Sequence, residues 1–145
     1  MKKLSENEVL IRERETNDKL YKVLAGSFAC YMNYGTDNEF LIGILSKGKC
    51  FGEIGFLAEE PSPYTYVANE EALVLDIAKK DFQDFVSNNP KNAIDIMMSM
   101  SKQVNLLQRH LSMVLSELDG DAEKKKALTE ALNEKIRMYQ NFRFQ

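Results

Sequence analysis

The stretch Phe51-Gly52-Glu53-Ile54-Gly55-Phe56-Leu57, read with Pro61–Ala68 behind it, is where residue types and spacing first suggest chemistry. A glycine precedes an acidic residue and a short apolar run, the composition of a single helical turn. The N-terminus of such a turn presents unpaired backbone N–H groups and a positive dipole end. Gly52, with no side chain, lets backbone approach a ligand closely. Ser62, Pro63, Tyr64 and Thr65 close the following loop, and Pro63 removes one backbone donor from it. The chemistry implied is anion binding, not bond making.

Nothing else in the chain assembles a catalytic constellation. His110 is the single histidine, so no His-based triad or metal cluster is built within one chain. Cys30 and Cys50 lack metal-ligand spacing and read as small core residues. A non-enzyme without a metal site or a resident cofactor is expected. Two cysteines imply no disulfide framework, which points to a reducing cytoplasm. No apolar run approaches the roughly 20 residues of a membrane span, and the first residues lack the apolar core of a signal peptide. A net charge of −3 gives no electrostatic reason to expect nucleic-acid binding. Lys124-Lys125-Lys126 lies among Asp119, Asp121 and Glu123 and reads as a solvated helix face.

The elements that position the anion-binding stretch are mostly strands. With 145 residues, 44% of them hydrophobic, the chain suits one ordinary domain. Residues 1–8 read as a frayed end or a helical turn. Val9–Ile11, Leu20–Leu24, Phe28–Tyr34 and Glu39–Leu45 read as strands, with Glu15–Asp18, Gly26-Ser27 and Gly35–Asn38 as turns. Thr65–Ala68 and Leu73–Ile77 add two more. Seven or eight short strands at this spacing predict a sandwich or a barrel. From Lys79 the period changes: Phe82, Phe85 and Val86 share one helical face, and Pro90 ends that helix. A long helix is expected over 91–118, about 40 Å at the α-helical rise. Gly120 is placed as its C-cap, and Asp121 as the N-cap of a last helix from Ala122 to about Asn141.

The sequence FGEIGFLAEEPSPYTYVA resembles the phosphate-binding cassette of cyclic nucleotide-binding domains, written roughly F-G-E-[LI]-[AG]-L-[LI]-x(3)-P-R-x-A-T-V-x-A. LYKVLAGSFACY ahead of it looks like that family's L-Y-x-[IL]-x-x-G-x-[VF] strand pair, and the resemblance runs from Val9 to about Leu118. It implies a double-stranded β-helix jelly roll, mainly β with C-terminal α, followed by a long dimerisation helix and a terminal helix. It also implies a regulatory domain spanning 1–118 with a helical extension over 121–145, and a small anionic ligand such as a cyclic nucleotide. By that resemblance the ligand-binding set is Gly52, Glu53, Ile54, Gly55, Ser62, Pro63, Tyr64 and Thr65, with Glu53 in place of the residue that accepts from the ribose 2′-hydroxyl. One position departs: Ser62 stands where the family carries the Arg that clamps the phosphate. A guanidinium fork binds phosphate bidentately, whereas a hydroxyl offers one neutral hydrogen bond. Losing a charge-assisted contact of roughly 1.5–3 kcal/mol weakens binding by one to two decades or more. Tyr64 replaces a small residue, and its ring is placed either in the phosphate pocket, against a ligand, or as a surface cover.

Met97, Met100, Val104, Leu107, Leu111, Val114 and Leu118 follow one another in alternating steps of three and four. That is an a/d seam, which predicts a parallel two-fold homodimer. Ala93, Ile94, Leu106, Met113 and Leu115 remain to pack on the chain's own barrel. Leu128, Leu132, Ile136 and Tyr139 make a further stripe that needs a surface, so a protein partner at the C-terminal helix is expected. Residues 121–145 are too few for a helix-turn-helix domain of the kind that follows this helix in bacterial regulators, so no DNA binding is expected of them. Two other readings compete with the weakened or altered sensor: a degenerate, non-binding dimerisation or interaction scaffold, and a cupin-like metal enzyme, which one histidine makes a poor fit.

Overall fold

The computed structural model describes residues 1–142, with side chains through residue 138. Eight strands form two antiparallel sheets. The strands are β1 (Lys2–Leu4), β2 (Val9–Ile11), β3 (Lys19–Ala25), β4 (Ser27–Met32), β5 (Phe40–Ser46), β6 (Cys50–Phe51), β7 (Thr65–Ala68) and β8 (Ala72–Ala78). One sheet runs β1-β8-β3-β6 and the other β2-β7-β4-β5. Consecutive strands alternate between sheets at several points, which is the jelly-roll winding. Helices α1 (Glu53–Ala58), α2 (Lys79–Asn88), α3 (Pro90–Glu117) and α4 (Ala122–Phe142) follow among the described residues.

The first strand is a correction. Residues 2–4 are neither frayed nor helical: Lys2 pairs with Val74 and Leu4 with Ala72, and Leu4 is buried. A three-residue segment carries no period of its own, and only the free edge of β8 makes it a strand. β2–β5, β7 and β8 lie within a residue or two of where turn residues and alternation place them, and β6 is a two-residue strand that pairs with β3. Pro90 ends α2 and also opens α3, where its missing N–H costs nothing. Asn89 caps that start, its Oδ1 accepting the Lys91 N–H at 3.2 Å.

Two apolar clusters form. The one inside the roll includes Phe28, Phe51, Tyr64 and Tyr66, whose rings meet in series: Phe28–Phe51 4.9 Å, Phe51–Tyr66 4.9 Å and Tyr64–Tyr66 6.4 Å between centroids. The other joins Leu20, Cys50, Phe56, Ile77 and Ile96, flanked by Phe82, Phe85 and Met100. Met100, placed in the seam by its spacing, thus packs on the chain's own core. Ile94, reserved for that core by sequence, is exposed instead. Helix phase decides this: Asn92, Ile96 and Met100 are each one turn apart. Asn92 is buried, accepts from Lys22 Nζ at 2.6 Å and donates to the Phe85 carbonyl at 3.1 Å, tying the start of α3 to β3 and α2.

The chain divides into two compact units, residues 1–101 and 102–145, and the division falls within α3. In the second unit α3 ends at Glu117 and tightens into a 3₁₀ turn, Leu118–Gly120. Gly120 has no left-handed φ, so it is not the glycine cap expected, and Leu118 lies in the turn rather than on the helix. Asp121 does cap α4, its Oδ1 accepting the Lys124 N–H at 3.1 Å. Lys124 and Lys125 pair with Asp121 and Asp119, a solvated face. Met113 and Ile136 are exposed, Leu128 and Leu132 half-buried, and the Tyr139 side chain lies outside the described residues. No described helix is long and apolar enough to cross a membrane.

Candidate functional site

The site is built on α1 and the loop that returns from it to β7. Gly52 precedes α1 at φ 80°, a left-handed conformation that disfavours side chains. A Cβ there would lie 2.9 Å from Asn17 Nδ2 and 3.0 Å from Ile11 Cδ1. The close approach Gly52 permits is therefore to Asn17 and Ile11, not to the outside. Asn17 was not among the residues singled out in the sequence. It is buried and donates from Nδ2 to the Lys19 carbonyl at 2.6 Å and the Gly52 carbonyl at 3.3 Å. Gly55 serves a second close approach: a Cβ would sit 2.9 Å from the Glu60 carbonyl oxygen and 3.3 Å from Ser62 Cα. The loop folds back over α1 at that point, with Glu60 N–H donating to the Gly55 carbonyl at 3.1 Å.

Glu53, at the first position of α1, is 1% exposed. The Ser99 hydroxyl on α3 donates to its Oε1 at 2.9 Å. The position matched to a ribose acceptor is thus turned inward, against the chain's own long helix. Ile54 is half-buried and packs on the cluster inside the roll.

Ser62 is 2% exposed and fully engaged by its neighbours. Its hydroxyl donates to the Tyr64 carbonyl at 2.8 Å, its N–H donates to the Glu15 carbonyl at 2.9 Å, and its own carbonyl accepts from Arg14 N–H at 2.7 Å. This is a local turn in which Ser bonds two residues on, the ordinary use of a hydroxyl before a proline. Pro63 is half-buried within it.

Tyr64 corrects an expectation. It is neither a surface cover nor a ring standing open to a ligand. It is 1% exposed and packs edge-on against Tyr66 inside the roll. Burial, and then the nearby Cys30 and Glu53, push its phenol up to about 12. Tyr66, which sequence reasoning passed over, shares that face because strand side chains alternate with period two. Deep burial, and then the nearby Cys30 and Glu53, raise its pKa well above the ordinary range. Burial likewise pushes Cys30 up to about 12 and Cys50 up to about 11.

Thr65 belongs to the opposite face of β7. It is buried there, its Oγ1 accepting the Glu13 N–H at 3.0 Å. The structure therefore brings Gly52, Glu53, Gly55, Ser62 and Tyr64 together and sets Thr65 apart from them. Ser99, like Asn17 and Tyr66, carries no motif signal, since its role rests on α3 crossing α1.

This arrangement of two wound sheets, a one-and-a-half-turn helix and a folded-back loop matches known proteins. The family model for the cyclic nucleotide-binding domain matches residues 1–89. The cAMP-activated global transcriptional regulator CRP of Salmonella typhimurium is 29% identical over 96 residues, 66% of this chain and 44% of that protein. The chain spans less than half the length of the curated relatives it matches. Among solved structures, the catabolite activator protein of Thermus thermophilus superposes with a TM-score of 0.66 at 18% identity, covering 78% of this chain and 53% of that one. The CO-dependent transcription factor CooA of Carboxydothermus hydrogenoformans gives 0.61 at 21% identity, over 83% and 50%. With the roll, the cassette and a family match over more than half its residues, the chain belongs to the cyclic nucleotide-binding domain family.

Proposed function

We propose that this chain is a regulatory domain, not a catalyst, whose cassette binds cyclic mononucleotides weakly. The observation that carries the reading is the state of Ser62: buried, uncharged, and hydrogen-bonded to its own loop. It has neither the charge nor the reach of an arginine. Relatives described as cAMP-activated supply the ligand class, and the cassette's glycines and Glu53 keep its frame. Isothermal titration with cyclic AMP and cyclic GMP tests it. The expected dissociation constant is no better than about 10 μM, since one lost charge-assisted contact removes one to two decades from a sub-micromolar starting point. Submicromolar affinity overturns it.

A specific observation favours a second reading, a scaffold that binds no nucleotide. Tyr64 and Tyr66 fill the roll's interior, and Ser99 already bonds Glu53. No detectable binding of either nucleotide, with the protein folded and assembled, selects the scaffold.

In either reading the working unit is a homodimer joined along α3. Met97, Val104, Leu107, Leu111 and Val114 are all exposed in the single chain, an apolar row at coiled-coil spacing. The α4 stripe is assigned to a protein partner, and the free, buried state of Cys30 and Cys50 supports a cytoplasmic setting.

A further inference from the structure

We infer that the chain carries a second ligand site, beside the cassette and sharing only Thr65 with it, for a hydroxylated phosphomonoester. The site is a cleft of about 270 Å³ at the end of the β2-β7-β4-β5 sheet, lined by residues 12–15 on one side and Asn33, Tyr34 and Thr36 on the other, with Thr65 between them. Its volume suits a small ligand rather than a large one.

Two arginines, Arg12 and Arg14, line the cleft. Among the described residues Arg12 forms no ion pair, and Arg14 reaches Glu13 only at 4.0 Å from an 86% exposed side chain. Arg12, without an ion pair, and Arg14, only loosely paired, stand at one cleft and suit a bidentate oxyanion. The backbone beneath them is fixed. Arg14 sits at φ 68°, uncommon for a side-chain-bearing residue, and its N–H donates to the Ser62 carbonyl at 2.7 Å. A bridge between Thr16 and Pro61 closes the same seam. Glu13 holds the two walls together: its Oε2 accepts the Asn33 N–H at 2.6 Å, and its own N–H donates to Thr65 Oγ1. Its carboxylate is thereby engaged with backbone. The Thr65 hydroxyl accepts that N–H and keeps its proton to donate into the cleft.

The remaining lining residues say what the oxyanion is attached to. Glu15 is exposed at the cleft and its carboxylate accepts from hydroxyls, so a phosphate carried on a polyol gains contacts that inorganic phosphate does not. Tyr34 packs tilted against Tyr31, centroids 5.1 Å apart, and gives the cleft an aromatic wall. A ribose phosphate, with or without a base, has that combination of charge, hydroxyls and ring.

Titration calorimetry with ribose 5-phosphate, adenosine 5′-monophosphate, inorganic phosphate and unphosphorylated ribose tests the site on the whole chain. The two phosphomonoesters are expected to saturate, with ribose silent and phosphate weaker. R12A and R14G each remove one guanidinium, and R14G keeps a residue at ease with positive φ. Each should weaken the phosphomonoesters about tenfold or more, as loss of a hydrogen bond to a charged group does. Both side chains are exposed, so unfolding midpoints should match wild type, and cyclic AMP titrations of the cassette should be unchanged. The inference is overturned if wild type binds neither phosphomonoester at millimolar concentration, or if the R12A/R14G double variant binds as wild type does.

Discussion

Ser99 and Glu53 join the long helix to the cassette: the serine hydroxyl of α3 donates to a carboxylate that is almost wholly buried at the head of α1, 2.9 Å away. One side chain therefore lies both at the position matched to ribose recognition and at the contact with the helix that carries the seam. S99A removes a donor from a buried carboxylate, and a hydrogen bond to a charged group contributes about 1.5–3 kcal/mol. Urea denaturation of S99A is expected to show a loss of that order with an unchanged slope. A midpoint equal to that of wild type would mean solvent replaces the serine at no cost.

Restoring the cassette takes two changes. S62R alone places a long cation where a 2% exposed serine bonds the Tyr64 carbonyl, so it should destabilise the loop without gaining much affinity. S62R combined with Y64A also empties ring volume from the roll. Truncating a buried aromatic costs about 3–5 kcal/mol, so the double variant should melt lower than wild type. It should also regain part of that loss on adding cyclic AMP, because a ligand that binds only the folded state stabilises it. A double variant whose melting temperature ignores cyclic AMP would place the defect elsewhere than Ser62 and Tyr64.

Gly52→Ala should be among the more costly single substitutions outside the core. It forces a Cβ into φ 80° and to within 2.9 Å of Asn17 Nδ2. Strain of this kind costs of order 1–3 kcal/mol. Thermal unfolding measures it, and the companion G35A, where a Cβ meets nothing, isolates the part due to φ alone.

Stability should fall on the alkaline side. Cys30, Cys50 and Tyr64 are held neutral by burial, with pKa values pushed up to about 12, 11 and 12, against unfolded values near 8.5 for Cys and 10 for Tyr. A raised folded pKa means the unfolded chain sheds its proton first. The stabilisation is complete below about pH 8.5 and is lost progressively as pH rises towards 11 to 12. Denaturation midpoints across that window check the sign. Ellman's reagent should find both thiols unreactive in the native protein at pH 8 and fully reactive in guanidinium; rapid labelling of either in the native state would contradict their burial.

L107K and L111K each place lysines across a two-fold axis in a dimer joined along α3, where two buried like charges face each other. Leu107 and Leu111 are over 40% exposed in the single chain, so neither change should unfold it. Sedimentation should show dimers for wild type at tens of micromolar and monomers for both variants. Monomeric wild type removes α3 as an interface.

What the sequence determined by itself was whatever depends on near neighbours. Strand alternation, turn residues, Pro90 between two helices and Asp121 at the head of α4 are local preferences, and each appears in the fold where short-range chemistry puts it. The cassette was legible for the same reason, being one contiguous motif. Tertiary structure decided everything that depends on distant partners. Lys2–Leu4 became a strand only because β8 offered an edge. Met100 turned from seam to core, and Ile94 from core to solvent, through the phase at which α3 lands on β3. Tyr64 went inside because one sheet had room for its ring beside Tyr66. Arg12, Arg14 and Thr65 share a cleft although more than fifty residues separate Thr65 from both arginines. A sequence motif records which groups are present, and chain crossings alone settle which of them a ligand meets.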